Sequence, residues 1–578
     1  MRTARERGSR PVPGLISHVV RAISLLVFWF LLFAAVWPEP WRFAGSWPPV
    51  DFFLRMDPLA AVLAPLAARD WGAALWPGLV ILGLSVAAGR FFCGWLCPFG
   101  TTLTLVRRLV RAKNPAPEKA YPAHTACSGT CPDDRPLDYK ARNIKFFVLA
   151  LMFGAAVAGV NDFYWGAPIP LITRFYALLF HPLLLLLSQL GLTLGRPLFT
   201  ALDAPALLYL DLPARRFDGL YFLLAFFGLL FWLEGRYPRF WCRCLCPAGA
   251  LLALVSRRPL FRRRARECRL CARCARHCPT GAIDPRTALA GQGECLTCLA
   301  CSDVCPEGAI SFTPWGKDDE HAAPSATADA LHLPALPSRR AFLGGAGLGL
   351  LLAGVQYSGA HSLLNADARV VSPACIRPPG AVPEPAFLAL CLRCGECMKV
   401  CPSNALQPAW LAAGQGGMFS PVLMPRHGPC VPECNACGQV CPTHAIQALS
   451  PEEKRWARVG TAVVLRRSCL AWSQGRACVV CQEVCPYGAV KLRGMEGLAA
   501  PAPVVDGSRC YGCGYCERHC PVAVPAIVVE PLNALRLKGA SYQKTAREAG
   551  MDYTPVQRNE PTVDADLPVD GPPPGFTE

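Results

Sequence analysis

The 578-residue sequence predicts a multi-domain protein, in which an α-helical membrane domain is joined to small α+β domains built around cysteine motifs. Two observations predict this class. The chain is 52% hydrophobic with a mean hydropathy of +0.28, which is too apolar for an ordinary soluble protein. In addition, 24 of its 32 cysteines fall into six runs of four, each of which ends in Cys-Pro.

Two of these runs lie in tandem between Cys268 and Pro306. Each reads C-x2-C-x2-C-x3-C-P, the ligand spacing of bacterial ferredoxins, in which the fourth cysteine ligates the neighbouring cluster. Zinc sites, the alternative, normally use paired C-x2-C knuckles that close on four ligands. The sequence therefore predicts an α+β bacterial-ferredoxin-like domain with two [4Fe-4S] clusters. The expected ligands are Cys268, Cys271, Cys274 and Cys305 for one cluster, and Cys295, Cys298, Cys301 and Cys278 for the other.

Four further runs follow in the second half of the chain. Two of them have a longer first gap, yet both keep C-x2-C-x3-C-P. We therefore predict four more [4Fe-4S] clusters, six in total, and the sequence leaves open which fourth cysteine serves which cluster. The predicted ligands are Cys391, Cys394, Cys397, Cys401, Cys430, Cys434, Cys437, Cys441, Cys469, Cys478, Cys481, Cys485, Cys510, Cys513, Cys516 and Cys520.

The cysteine pattern and the charge exclude two other classes. Disulfide frameworks belong to small secreted domains and lack this regular repeat. The net charge of +17 does not predict a nucleic-acid partner, because the arginines cluster beside apolar spans, as the positive-inside rule requires. No C-x-x-C-H haem motif, nucleotide-binding loop or nucleophile–base pair is present. The pattern thus predicts an electron carrier that is at most a quinol-oxidising redox module.

Residues 1–240 are predicted to form the membrane domain. The apolar spans are Val19–Trp37, Trp71–Gly89, Ile144–Val160 and Phe217–Leu233, and the arginines before the first span place the N-terminus in the cytoplasm. The basic stretches 107–145 and 257–276 should both be cytoplasmic, which requires an even number of crossings between them. Since two of the spans already supply that number, Ile172–Gly195 is predicted to lie in the outer interface or to be re-entrant.

Two C-x3-C-P pairs end apolar segments: Cys93 with Cys97, and Cys242 with Cys246. At i and i+4 the two sulfurs of a pair face one side of a helix, and the proline should then end the turn. Three interpretations stay open: buried unreactive thiols, a redox dithiol, or a joint four-thiolate site that adds a cluster. The Cys127/Cys131 pair in a predicted cytoplasmic loop has the same spacing, whereas Cys244 and Cys375 fit no pattern.

The remaining segments complete the predicted organisation. A ferredoxin domain over 241–313 is followed by a polar linker over 314–337. Ser338-Arg339-Arg340, before an apolar stretch, has the form of a twin-arginine export signal, and 338–357 is predicted as a signal or transmembrane helix. The four-cluster domain spans 358–540, and 541–578 is predicted to be a disordered tail.

Both halves resemble known families. C-G-W-L-C-P, then W-C-R-C-L-C-P-A-G-A and two ferredoxin runs resemble the NapH/MauN-type membrane ferredoxins over about residues 15–312. I-R-P-P-G-A-V-P-E-P-A-F-L-A-L-C-L-R-C-G-E-C is similar to the NapG/MauM-type periplasmic ferredoxins over about 338–530. The resemblance implies a fusion of proteins that are usually separate chains. The long Ile172–Gly195 segment and the Cys127/Cys131 pair depart from the first pattern.

The predicted function is electron transfer at the bacterial inner membrane. The chain would pass electrons between the quinol pool and a periplasmic redox partner, with the first ferredoxin domain cytoplasmic and the second periplasmic. The resemblance also allows a maturation factor that reduces a metal or cysteine centre of a periplasmic enzyme. Because a bilayer core is about 30 Å thick, clusters on opposite faces need a quinone or a cofactor on the cysteine pairs between them.

Overall fold

The computed structural model describes residues 13–35, 49–71, 75–113, 142–161, 166–203, 205–210, 215–257, 259–265, 268–284, 288–314, 339–357, 375–410 and 413–553. The Cys127/Cys131 pair, the linker over 315–337 and the predicted tail after residue 553 lie outside the described residues.

The first half of the chain is a helical bundle. Its apolar segments are rich in Leu, Ala and Phe and form helices. Several of these helices have proline in the first turn, where a backbone N–H would have no hydrogen-bond partner within the helix. The α-helices are Pro13–Ala34, Phe52–Arg55, Pro58–Ala68, Trp76–Ala88, Phe91–Trp95, Pro98–Lys113, Ile144–Val157, Pro168–Arg174, His181–Ala201, Pro205–Leu208, Leu220–Arg236 and Pro247–Val255, with π-helical turns at Phe175–Phe180 and Trp241–Leu245.

Two stretches of described helix are long and apolar enough to cross a membrane, Leu15–Ala34 with 20 residues and Pro168–Ala201 with 34. A third joins Trp76–Ala88 to Phe91–Val110 across a bend of 98°. The second contains Ile172–Gly195, whose interfacial or re-entrant placement stays a prediction; its helix continues through Pro182, where a π-helical turn is followed by an α-helix. The predicted spans at 144–160 and 217–233 form shorter helices of 14 and 17 residues.

The arginine-led segment forms the helix Arg339–Tyr357, which packs along Ile144–Val157. Small residues allow the close approach: a Cβ on Gly349 would overlap the carbonyl oxygen of Leu151, and a Cβ on Gly154 would overlap that of Ala346. Gly345 and Gly349 are four residues apart, the spacing of the small-residue helix pairs found in membranes. This packing holds the helix Arg339–Tyr357 against the helical bundle.

The first cysteine-rich domain has the expected α+β form. Strand Phe261–Ala265 pairs antiparallel with Ile310–Pro314, and the short helices Arg273–His277 and Ala300–Asp303 lie between them. The start of this domain at residue 241 stays a prediction. Helix Pro247–Val255 packs on the helical bundle, because its alanine and leucine side chains are buried there.

The second cysteine-rich domain repeats the same plan of short strand pairs and single-turn helices. Its antiparallel strand pairs are Leu406–Pro408 with Pro421–Leu423, Thr461–Val464 with Ile527–Glu530, and Val490–Arg493 with Ala502–Val505. The helices are Glu384–Leu390, Glu396–Val400, Ala436–Gln439, Pro451–Arg455, Leu470–Gln474, Val480–Glu483, Tyr515–His519 and Tyr542–Glu548.

The first part of the predicted tail over 541–578 contains a helix. Ser541 caps the helix Tyr542–Glu548, and its hydroxyl also donates to Glu453 at 2.7 Å. The Glu453 carboxylate accepts the backbone N–H of Tyr542, whose ring is fully buried. The acidic, proline-rich composition that predicted disorder applies only to residues after 553, whereas this helix has its own cap and docking contact.

The two cysteine-rich domains dock at opposite ends of the bundle. At one end, Lys145 at the start of Ile144–Val157 pairs with Glu294 of the first domain at 2.5 Å. At the other end, Asn161 donates to the carbonyl of Ala389 in the second domain at 2.7 Å. The 14-residue helix between these contacts is about 21 Å long. The helical bundle therefore separates the two domains.

Candidate metal centres

Most of the predicted ligands of the first domain lie near one another in two groups. The pKa of Cys295 is raised to about 12, first by burial and then by the nearby thiols of Cys278, Cys298 and Cys301. This is the predicted set with Cys278 crossing from the other run. The pKa of Cys274 is raised by burial, against the pull of Arg263, and Cys268 and Cys271 add to the rise. The place of Cys305 in this second set stays a prediction.

In the second domain the fold settles which thiols lie together, the question that the sequence left open. Cys441 crosses to the first run and Cys401 to the second, so these two runs exchange their fourth cysteines. The last two runs exchange theirs in the same way, and each set lines one cavity. The four sets are Cys391, Cys394, Cys397 and Cys441 (site A); Cys401, Cys430, Cys434 and Cys437 (site B); Cys485, Cys510, Cys513 and Cys516 (site C); and Cys469, Cys478, Cys481 and Cys520 (site D).

The backbone wraps each regular run around its site through two left-handed residues. Arg393 and Gly395 have φ of 54° and 84°, and Gly512 and Gly514 have 74° and 83°. Alternation of this kind turns successive N–H groups inward, the backbone nest found at anion and iron–sulfur sites. The irregular runs at Cys430 and Cys469 have no such pair in the described part of the chain, so their longer first gaps give a different local path.

Backbone N–H groups also donate to the fourth thiol of four runs. The donors are Ala282 to Cys278, Ile446 to Cys441, Ala489 to Cys485 and Ala526 to Cys520, at 3.3–3.4 Å. Such bonds stabilise a thiolate and raise the reduction potential of a cluster that it binds. Two of these donors, Ala489 and Ala526, directly precede the strands Val490–Arg493 and Ile527–Glu530.

The described thiols are not arranged as a site for a single metal ion. No group of three or more candidate ligands in the described part of the chain is close enough to hold one metal ion, and none of the described cysteines forms a disulfide. A tetrahedral zinc site with bonds of about 2.3 Å would bring its sulfurs to about 3.8 Å from one another, whereas a cubane holds them farther apart. Burial raises the pKa of Cys434 to about 12, so metal binding must displace the proton.

The four sites of the second domain follow one another towards the bundle. Sites C and D are neighbours because the runs that form them exchange their fourth cysteines, and sites A and B are neighbours for the same reason. Between B and C, the backbone N–H of Cys430 donates to the carbonyl of Cys513 at 2.8 Å. The Tyr487 side chain lies at the same junction, near Cys513 of site C and Cys430 of site B. Burial and then these two thiols raise the pKa of Tyr487 well above its usual value. The order is therefore D, C, B, A.

Site A touches the helical bundle directly. A Cβ on Gly395, between two of its cysteines, would meet the side chain of Leu178 at 3.2 Å. Arg174 donates through Nε to the carbonyl of Arg393 at 3.0 Å and stacks over Phe419 at 4.4 Å. The inner end of the second domain is thus fixed against the π-helical turn of the bundle, Phe175–Phe180.

The two C-x3-C-P pairs meet inside the bundle. Burial raises the pKa of Cys246 well above its usual value, and the thiols of Cys242, Cys93 and Cys97 raise it further. The local structure differs from the prediction of one helix face. Cys93 lies in a short helix and Cys242 in a π-helical turn, and the proline after each pair opens the next helix rather than ending the turn.

Sequence reasoning missed the charged residues that join these parts. Glu294 accepts from Arg90 at 2.8 Å and from Lys145 at 2.5 Å, and all three side chains are buried. Arg239 is buried beside the two cysteine pairs. Two of them had a signal in the sequence: Arg90 directly follows one predicted apolar span and Lys145 lies at the start of another, where a charge is costly unless it is paired.

Comparison with known proteins supports the cysteine motifs. The family model described as a 4Fe-4S binding domain matches residues 71–117 and 220–266, and a second model with that description matches 388–407. Models described as 4Fe-4S dicluster domains match 260–306 and 474–524.

Several ferredoxin-type proteins are similar to part of the chain. The methylamine utilization ferredoxin-type protein MauM of Methylorubrum extorquens is 34% identical over 215 residues, 34% of this chain and 91% of the relative. MauM of Paracoccus denitrificans is 38% identical over 209 residues, 34% and 89% respectively. The ferredoxin-type protein NapG of Escherichia coli is 38% identical over 171 residues, 27% and 71% respectively.

Proposed function

Since this chain belongs to the MauM/NapG family of ferredoxin-type iron–sulfur proteins, we propose that it passes electrons between a membrane quinol pool and a periplasmic redox partner. The order of its cysteine sites is the observation that carries the proposal. Sites D, C, B and A lead to one end of the helical bundle, and the two sites of the first domain lie at the other end.

The residues of each site bind the cluster, donate hydrogen bonds to its sulfurs and compensate its charge. Six cysteine sets hold six [4Fe-4S] clusters, which supply reversible one-electron transfer when bound. Backbone N–H groups donate to sulfur, and buried cations offset the charge: Arg263 donates to Cys274 at 3.6 Å, and Arg174 lies beside Cys391. Among these cysteines only Cys271 is exposed and the others are buried or half-buried, which limits the reorganisation that each transfer requires.

The bundle is the membrane part of this proposal. Helices such as Leu15–Ala34 expose leucine, isoleucine and phenylalanine side chains outward, which suits contact with lipid. The arginines at the start of Arg339–Tyr357 favour a cytoplasmic start and a periplasmic second domain. A fusion of a NapH/MauN-type membrane half with a NapG/MauM-type half would hold the two ferredoxin domains at a fixed spacing.

Quinol-dependent reduction tests the proposal. The anaerobically purified protein in lipid nanodiscs is mixed with a water-soluble quinol analogue, and cluster reduction is followed by the loss of visible absorbance and by EPR. We expect reduction of both domains in the wild type. Cys394→Ser, which removes a ligand of site A, should slow the reduction of sites B, C and D relative to the first domain.

The matched control is Cys375→Ser, which removes a buried thiol of the same domain that belongs to none of the four sites. It should leave the reduction kinetics unchanged. If quinol analogues never reduce the clusters of the wild type, the proposal is wrong, and the maturation role predicted as the alternative becomes the better account.

A further inference from the structure

A separate site lies between the two ferredoxin domains, inside the bundle. Two segments that are about 150 residues apart in the chain each supply two thiols to it, Cys93 with Cys97 and Cys242 with Cys246. The Sγ of Cys246 accepts the N–H of Gly249 at 3.2 Å, the same kind of bond that orients the cluster thiols elsewhere. Neither segment provides four ligands alone, so any four-ligand site must be shared.

Two buried guanidinium groups flank these thiols. A Cβ on Gly249 would lie 2.7 Å from Nη2 of Arg90 and 3.4 Å from the Sγ of Cys246, so this nitrogen and the thiol face the same space. A Cβ on Gly100 would lie 2.7 Å from Nη1 of Arg239 and 3.3 Å from the carbonyl oxygen of Cys93. Glycine at both positions leaves room for the guanidinium groups.

Both nitrogens lack a partner among the residues that the structure describes, although each arginine is otherwise bonded. Arg90 donates through Nη1 to Glu294 at 2.8 Å, and Arg239 donates through Nη2 to Thr104 at 3.0 Å. An unpaired buried donor is destabilising, and more so when it is charged. Two such donors at one four-thiol site indicate that an anionic group completes it.

We propose that Cys93, Cys97, Cys242 and Cys246 bind a seventh [4Fe-4S] cluster, whose negative charge is balanced by Arg90 and Arg239. Four thiolates outweigh the charge of the iron–sulfide core, so the cluster is an anion in both oxidation states. A dithiol–disulfide pair is neutral in its oxidised form and gives the two guanidinium groups nothing to balance.

The position of the site gives it a role, which rests on the proposed function. On one side, Arg90 bonds to Glu294, the residue before Cys295 of the first domain. On the other side, the helix that follows Cys97 carries Thr102, whose hydroxyl lies 3.0 Å from that of Tyr176. Leu178, two residues after Tyr176 in the same π-helical turn, contacts the loop of site A at Gly395. One electron enters from one neighbouring cluster and leaves to the other, with no bond made or broken.

Iron and acid-labile sulfide content tests the occupancy. The full-length protein is reconstituted anaerobically to constant iron and compared with Cys97→Ser/Cys246→Ser and with Cys244→Ser, a buried thiol that lies between two of the ligands in sequence. We expect about 28 iron atoms in the wild type, a loss of about four in the double variant, and no loss in the control. A wild-type content of about 24 overturns the proposal even if the double variant does not fold.

The charge role is tested by a redox titration followed by EPR. Arg239→Gln should keep the full iron content, yet lower the reduced-to-oxidised ratio of one cluster at least about tenfold at a fixed potential. Arg239→Lys should restore most of it. Equal titrations in all three proteins contradict the charge role. Iron content is independent of quinol reactivity, so failure here and failure of the proposed function are distinguishable.

Discussion

Replacement of Glu294 by glutamine should release the first ferredoxin domain from the helical bundle. The carboxylate lies between Arg90 and Lys145, whose side chains are 1% and 0% exposed. Glutamine keeps the shape but removes the negative charge, so two buried cations face each other without a counter-charge. Breaking a buried pair in this way costs about 3–5 kcal/mol.

The chain provides a matched control for this change. Arg269 and Glu307 form an ion pair in the same domain at 3.3 Å, but their side chains are 78% and 41% exposed. Solvent screens such a pair, so Glu307→Gln should cost less than about 1 kcal/mol. The two substitutions are chemically identical and differ only in burial and in the number of cations.

Amide hydrogen exchange measures the difference locally, without requiring two-state unfolding of the whole chain. Lower stability of the docked state raises the exchange rate of amides at residues 288–296. We expect an increase of about a hundredfold or more in Glu294→Gln and less than about fivefold in Glu307→Gln. Equal effects of the two variants would refute the argument that burial of this ion triad holds the domain in place.

Acid should release the same contact. Burial alone would raise the pKa of Glu294, but Arg90 and Lys145 outweigh it and hold the folded pKa below 4.5. The stability that this contact provides is therefore present above pH 4.5 and is lost as the pH falls through the folded pKa. Amide exchange at residues 288–296 should rise steeply at that pH in the wild type and not in Glu294→Gln. Gly349→Ala should weaken the packing of Arg339–Tyr357 on the bundle by about 1–3 kcal/mol. Gly347→Ala should not weaken it, because a Cβ there meets no described atom. The rate of protease cleavage near residue 358 measures the difference between the two variants. Tyr487→Leu should slow electron exchange between sites B and C, measured by flash reduction, without loss of iron.

The ligand runs could be predicted from the sequence because their spacing is local. Cys391, Cys394 and Cys397 are each separated by only two residues, so the chain itself brings them together. The crossing cysteines could not be assigned, because Cys401 and Cys441 reach their sites only when the two runs pack against each other. The exchange of fourth cysteines is a property of the tertiary fold.

The docking of the domains could not be predicted from the sequence either, because its contacts also form only in the tertiary fold. Glu294 and Arg90 are 204 residues apart, and either one alone resembles an ordinary surface charge. The four-thiol site was left as one of three interpretations, because spacing does not reveal that Cys93 and Cys246 meet. The unpaired nitrogens of Arg90 and Arg239, which favour one interpretation, are visible only in three dimensions.

Electron passage from one ferredoxin domain to the other is the central claim, and sealed proteoliposomes test it directly. The protein is oriented with its first domain outward, and dithionite, a reductant that does not cross the membrane, is added outside. The account predicts that clusters of both domains become reduced, with those of the second domain following those of the first. Reduction of the first-domain clusters alone, with the others oxidised until the vesicles are opened by detergent, would contradict it.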